Sequence, residues 1–152
     1  MFKNITAMSR EDAEQYASEK HTKKSAVVSI KSRFDGSKPR IHETDDNGIV
    51  AVLFMSFNDA NTLIEGGMTI KESAEIAQFI HMVATDDNYK DVETLIVHCD
   101  AGYSRSAGVA AAAAKYYLGD DTWFYKHKEP NSMCYRFVLE ELISRYGVPE
   151  YL

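Results

Sequence analysis

The chain has 152 residues, of which 45% are hydrophobic, with a formal charge of -6 at pH 7 and a pI near 5.3. That length suits a single domain spanning 1–152, and the acidic balance argues against salt-driven binding to nucleic acid, so attraction for an anion has to be local. Apolar runs stay short of the roughly eighteen residues a membrane span needs, Met1 to Arg10 carries no leader-like pattern, and two cysteines do not make a secreted disulfide framework. A reducing, cytoplasmic setting away from membranes is the expectation.

Lys3 to Met8 predicts a short first strand. Ser9 then stands three residues before Asp12, an N-cap followed by an acidic first turn, and Glu11 to Lys20 reads as a surface helix. Ala26 to Ile30 is a β-branched run that predicts a buried strand. Arg33 to Asn47 holds Gly36, Pro39 and an acidic stretch, and reads as loop. Ile49 to Phe57 is nearly all apolar, the pattern of a strand covered on both faces. Thr69 with Glu72 forms a capping-box pattern before apolar positions at helical spacing from Ile70 to Ala84. Val92 to Val97 predicts another buried strand. Ser106 to Leu118 is alanine-rich, which favours helix and close packing, with Gly119 as its C-cap. Asp120 to Pro130 reads as irregular, and its aromatic group Trp123, Phe124 and Tyr125 is expected to pack the sheet or line a shallow rim. A last helix capped by Asn131 or Ser132 runs to Tyr146, where Gly147 and Pro149 stop it. Strands alternating with helices predict an α/β three-layer sandwich with a central, mostly parallel sheet flanked by helices.

The chemistry concentrates in His98-Cys99-Asp100-Ala101-Gly102-Tyr103-Ser104-Arg105-Ser106, between a strand and a helix. A loop wrapped at a helix N-terminus turns backbone N–H groups inward, a cradle suited to phosphate oxygens. Arg105 adds a planar, two-pronged donor, and the same positive surroundings favour the thiolate of Cys99. Gly102 permits a backbone geometry that a side chain blocks.

The loop resembles the signature of the cysteine-dependent tyrosine and dual-specificity phosphatases: the His-Cys pair, the glycine three after the cysteine, the arginine six after it and the hydroxyl residue that follows. Pro130-Asn131 with Tyr135-Arg136 is similar to small bacterial members. The resemblance implies a phosphorylated protein or peptide as substrate and no cofactor. It implies that Cys99 attacks phosphorus, that Arg105 and the backbone from Asp100 to Arg105 (Ala101, Gly102, Tyr103 and Ser104 between) hold the phosphate, and that Ser106 donates toward the sulfur. His98 would orient the loop and help to hold the thiolate. The Asp100 side chain is expected to point outward, because an inward carboxylate repels phosphate.

The family also supplies a general acid from a loop upstream of the cysteine. Asp59 follows the strand ending near Phe57, so its loop opens at the same sheet edge as the cysteine loop, where open α/β sheets bind ligands. Phe57-Asn58-Asp59 resembles the acid-bearing loop of small bacterial members, whereas Asp45, Asp46, Asp86 and Asp87 precede strands and fall at the opposite edge. Cys134 reads as structural, with a backup thiol for oxidised Cys99 as the alternative. His21, His42, His81 and His127 lack metal-ligand spacing, so no metal is expected. Two other functions remain open from the residues: a phosphate-reading module with little turnover, and related cysteine chemistry such as sulfur transfer or arsenate reduction.

Overall fold

The computed structural model describes residues 1–149. In chain order the elements are β1 (Asn4–Ser9), α1 (Arg10–Ala17), β2 (Lys24–Lys31), β3 (Ile49–Ser56), α2 (Ile70–Thr85), a 3-10 turn (Asp87–Tyr89), β4 (Val92–Cys99), α3 (Arg105–Leu118), α4 (Thr122–His127) and α5 (Ser132–Tyr146). Local chemistry sets several boundaries. Ser9 Oγ accepts from the Asp12 amide at the start of α1. Thr69 and Glu72 complete both bonds of a capping box on α2. Gly119, at φ 78°, ends α3 in the left-handed conformation.

The four strands form one sheet in the order β1-β4-β2-β3, with every pair parallel. All C-terminal strand ends therefore meet at one edge, and Cys99 ends a strand flanked by β1 and β2. Side chains alternate between the faces. Ala26, Val28, Ile30, Leu95 and Val97 join the core built with α2, α3 and α5. Val27 and Ile96 face the other way, against Ala13 of α1 and Ile41. This is the α/β sandwich, a central parallel sheet between helical layers.

The alanine-rich α3 lies between the sheet and α5, and every residue from Arg105 to Ala114 is buried. A helix apolar all round belongs in such a position. Gly108 marks its closest approach to α5: a Cβ there would lie 2.6 Å from the Asn131 carbonyl oxygen and 2.9 Å from Cys134 Cβ.

Two local expectations are corrected. Ile49 to Phe57 was expected to be covered on both faces, but β3 is an edge strand, and Phe54 is 41% exposed beneath the Lys38 ammonium. The second face is covered only over Ile49 and Val52, so the apolar run misleads at Phe54. Asp120 to Pro130 contains the short helix α4, whose Trp123 stacks on His127 one turn later. Its Phe124 is buried in the main core, while Tyr125 packs edge-on against Tyr135 of α5. Phe124 thus shares the core with sheet residues, and none of the three aromatics lines the cavity beside Cys99. Among the described residues, no helix is long and apolar enough to cross a membrane.

Candidate active site

The loop from Asp100 to Ser104 joins the end of β4 to the start of α3. Its carbonyls are held from outside. The Asp100 oxygen accepts from the Arg10 amide at 3.2 Å, the Gly102 oxygen from Lys128 Nζ at 2.8 Å, the Tyr103 oxygen from the Glu129 amide at 3.1 Å, and the Ser104 oxygen from the Asn131 amide at 2.9 Å. In a planar trans peptide the next N–H points opposite to the carbonyl. The amides of Ala101, Tyr103, Ser104 and Arg105 are thus turned the other way, toward an open cavity of about 540 Å³ lined by Cys99 and this loop. Among the described residues, no protein acceptor meets the amides of Ala101 to Ser104. The N-cap residue Ser104 makes no capping bond with its side chain, so the positive end of α3 also stays open.

Gly102 is required twice. Its φ is +73°, and a Cβ would sit 2.2 Å from Met8 C and Ser9 N. The loop is pressed onto the β1–α1 junction, and a side chain there would lift it.

Cys99 Sγ lies 3.1 Å from Ser106 Oγ, with both residues buried. Arg105 is 6% exposed. Its Nη1 donates to the Phe57 carbonyl at 2.8 Å and to Ser32 Oγ at 3.2 Å, and its Nη2 donates to Asp100 Oδ2 at 2.9 Å. The Asp100 side chain is 43% exposed, yet its carboxylate reaches Arg105 instead of turning wholly outward as expected. A buried guanidinium needs acceptors more than the loop needs to shed a carboxylate. Ser32 also donates to Asp100 Oδ2, at 2.7 Å. Burial pulls the Asp100 carboxyl upward, but the hydrogen bonds from Ser32 and Arg105 outweigh it and hold the group below its ordinary value.

Asp59 also lines the cavity, where it meets the end of the loop. Its Oδ1 accepts from Ser104 Oγ at 2.9 Å and from Asn131 Nδ2 at 2.7 Å, while Oδ2 has no protein partner among the described residues. His98 has no exposure. Its Nδ1 faces the Cys99 carbonyl at 3.3 Å and its Nε2 lies 2.6 Å from Ser29 Oγ. A carbonyl can only accept, so Nδ1 carries the proton and Nε2 accepts from Ser29. Burial lowers the His98 pKa and keeps the ring neutral. It thus steadies the Cys99 backbone, without a positive charge to offer the sulfur. Cys134 is pushed up to about 12, by burial first and the Asp59 charge second, and both cysteines are free thiols.

No protein-family model matches the chain, and no curated protein sequence matches it. Solved structures do. Tk-PTP in its active form aligns with TM-score 0.53 at 16% identity, over 95% of this chain and 94% of that one. The human tyrosine phosphatase-like serine/threonine/tyrosine-interacting protein aligns with TM-score 0.50 at 16% identity, over 77% and 75%. The chain has the protein-tyrosine-phosphatase-like fold.

Within this phosphatase-like fold, Cys99, Arg105 and Asp59 line one cavity, while Ser106 and His98 are buried beside Cys99 and do not line it. Sequence reasoning missed Ser32, the Phe57 carbonyl and Lys128, and gave Asn131, noted as a helix cap and in the Pro130-Asn131 resemblance, no role at Asp59. Asn131 Oδ1 does cap α5 through the Cys134 amide, yet its Nδ2 also holds Asp59 and the Ala60 carbonyl. The Pro130-Asn131 pair was the available signal for it. Among the described residues, no cluster of three or more His, Cys, Asp or Glu is arranged to hold a metal.

Proposed function

We propose that this chain hydrolyses phosphate monoesters, with phosphotyrosine in a protein or peptide as substrate, through a phosphocysteine intermediate. The observation that carries this reading is the Cys99–Ser106 contact beside Arg105, in a loop whose amides face a cavity that Asp59 also lines. The Cys99 thiolate attacks phosphorus, and the S–P bond forms as the bond to the leaving oxygen breaks. Asp59 gives that oxygen the proton held on Oδ2, since Oδ1 is occupied by Ser104 and Asn131. Arg105 and the loop amides take up the charge on the equatorial oxygens. In the second half, Asp59 takes a proton from water as it attacks phosphorus. Sulfur leaves as a thiolate steadied by the Ser106 hydroxyl, and inorganic phosphate is released.

The cavity is open, which admits aryl phosphates and leaves room for shorter alkyl esters, so dual specificity fits as well. A thiolate nucleophile works best in a reducing compartment, in keeping with two free cysteines and a cytoplasmic location.

The test is phosphate release from a panel of aryl phosphates and a phosphotyrosine peptide. Cys99→Ser should abolish turnover, and Arg105→Lys should lower kcat/KM by roughly 100-fold or more, since an ammonium cannot replace the fork. Asp59→Asn should slow poor leaving groups by about 100-fold or more and good ones far less. Equal slowing across leaving groups would remove Asp59 as the acid. Capture of intact phosphopeptide with no phosphate released would make the chain a binding module instead.

A further inference from the structure

The Arg105 guanidinium has five N–H bonds and a definite pattern of use. Both hydrogens of Nη1 are engaged, by the Phe57 carbonyl and by Ser32 Oγ. Nη2 uses one hydrogen on Asp100 Oδ2. Ser32 Oγ in turn donates to the same Asp100 oxygen at 2.7 Å. Nη1, Ser32, Asp100 and Nη2 thus close a ring of hydrogen bonds across one edge of the guanidinium. Nε–H and the second Nη2–H, the two parallel donors of the adjacent edge, meet no protein acceptor among the described residues. That edge is the one left for a bidentate anion, in a side chain that lines the cavity beside Cys99.

We propose that Asp100 and Ser32 act together as a clamp on the Nη1–Nη2 edge of Arg105, aiming its Nε–Nη2 edge at the bound phosphoryl group. Both are positioning residues, acting through Arg105. The clamp rests on the reading that this loop receives phosphate. The three parts come from different strands' ends: Ser32 follows β2, Phe57 follows β3, and Asp100 follows β4. Parallel pairing brings those ends to one edge, and the guanidinium is gripped where they meet. An arginine side chain free to rotate would lose conformational entropy on each binding event; one held on its far edge has already lost it. The carboxylate also shares its charge with Ser32, which limits its repulsion of an incoming dianion.

The experiment measures orthophosphate affinity by calorimetry, and turnover of an aryl phosphate, for the wild type, Asp100→Ala, Asp100→Asn, Ser32→Ala, Ser32→Thr and the Asp100→Ala/Ser32→Ala double variant. Thermal melts accompany each variant. Asp100→Ala and Ser32→Ala should each weaken phosphate binding about ten-fold, the worth of one charge-assisted hydrogen bond. Asp100→Asn and Ser32→Thr should stay within about three-fold of wild type, because each keeps the acceptor or hydroxyl that the ring needs. The double variant should lose little more than the worse single one, as parts of one unit do.

Tighter phosphate binding in both Asp100 variants would overturn the clamp and make the carboxylate a competitor for Arg105. Unchanged affinity in Asp100→Ala and Ser32→Ala, or additive losses in the double variant, would also overturn it. Phosphate binding with the expected pattern but no release from any ester would sink the hydrolase reading and leave the clamp standing. Turnover without that pattern would do the reverse.

Discussion

His98 is sealed in the sheet between Met8 of β1 and Ser29 of β2, its register partners. Its ordinary pKa is 6.5, and burial lowers it in the folded chain. The unfolded chain therefore takes up a proton first as pH falls. Stability is full above about 6.5 and declines as pH drops from there toward the lowered folded value. His81 has the same sign from the same cause. His98→Asn, which keeps a donor toward the Cys99 carbonyl, should flatten part of the fall in Tm between about pH 7 and 5. A slope equal to that of the wild type would show that His98 does not titrate on unfolding. That a histidine precedes Cys99 is plain in the sequence. That it is neutral and faces Ser29 is not, because its surroundings come from two other strands.

The contact of α3 with α5 makes a prediction for an element. In an exposed helix, Gly→Ala gains up to about 1 kcal/mol from helix propensity. At Gly108 the added methyl would come within 2.6 Å of the Asn131 carbonyl, a backbone atom that cannot rotate away. Sterics should win, and Gly108→Ala should cost about 1–3 kcal/mol, lowering Tm by roughly 2–4 °C for each kcal/mol in a chain of this size. A melt at or above the wild-type temperature would contradict this packing. The same displacement moves Asn131, so it should reach Asp59 at 2.7 Å and the Ser104 carbonyl at 2.9 Å. The alanine run shows that something must lie close to this helix. Which helix lies there, and that its N-cap also holds the Asp59 loop, follows from how α5 docks.

Over the whole molecule, a net charge of -6 surrounds the cavity that we propose receives an anion. Asp59, Asp100 and Glu129 line it together with Arg105. Among the lining residues, attraction is thus confined to the loop amides, the start of α3 and one edge of one guanidinium, with the Lys128 ammonium behind the loop. Long-range forces oppose the substrate, and salt screens them. Raising ionic strength from about 0.01 M to 0.15 M shortens the Debye length from roughly 30 Å to 8 Å. It should therefore raise kcat/KM for an anionic aryl phosphate, by about two-fold or more. A fall instead, measured at constant pH, would mean that the local positive cradle dominates the encounter.

What is local can be read directly from the chain. The residues from His98 to Ser106 are contiguous, so their spacing is visible directly, and strands, helices and caps declare themselves within a few residues through periodicity and hydrogen-bonding side chains. Parallel alternation then brings the Cys99 and Asp59 loops to a common edge. The rest depends on packing between distant segments. Ser32 meets Arg105 across 73 residues of chain, and Asn131 meets Asp59 across 72. The strand order sets which ends become neighbours, and it leaves β3 as an exposed edge. The exposed Asp100 bends its carboxylate to Arg105 for the same reason: its orientation depends on a buried arginine whose remaining partners lie at the ends of two other strands. A side chain's direction is set by what surrounds it in space, and sequence distance carries no record of that.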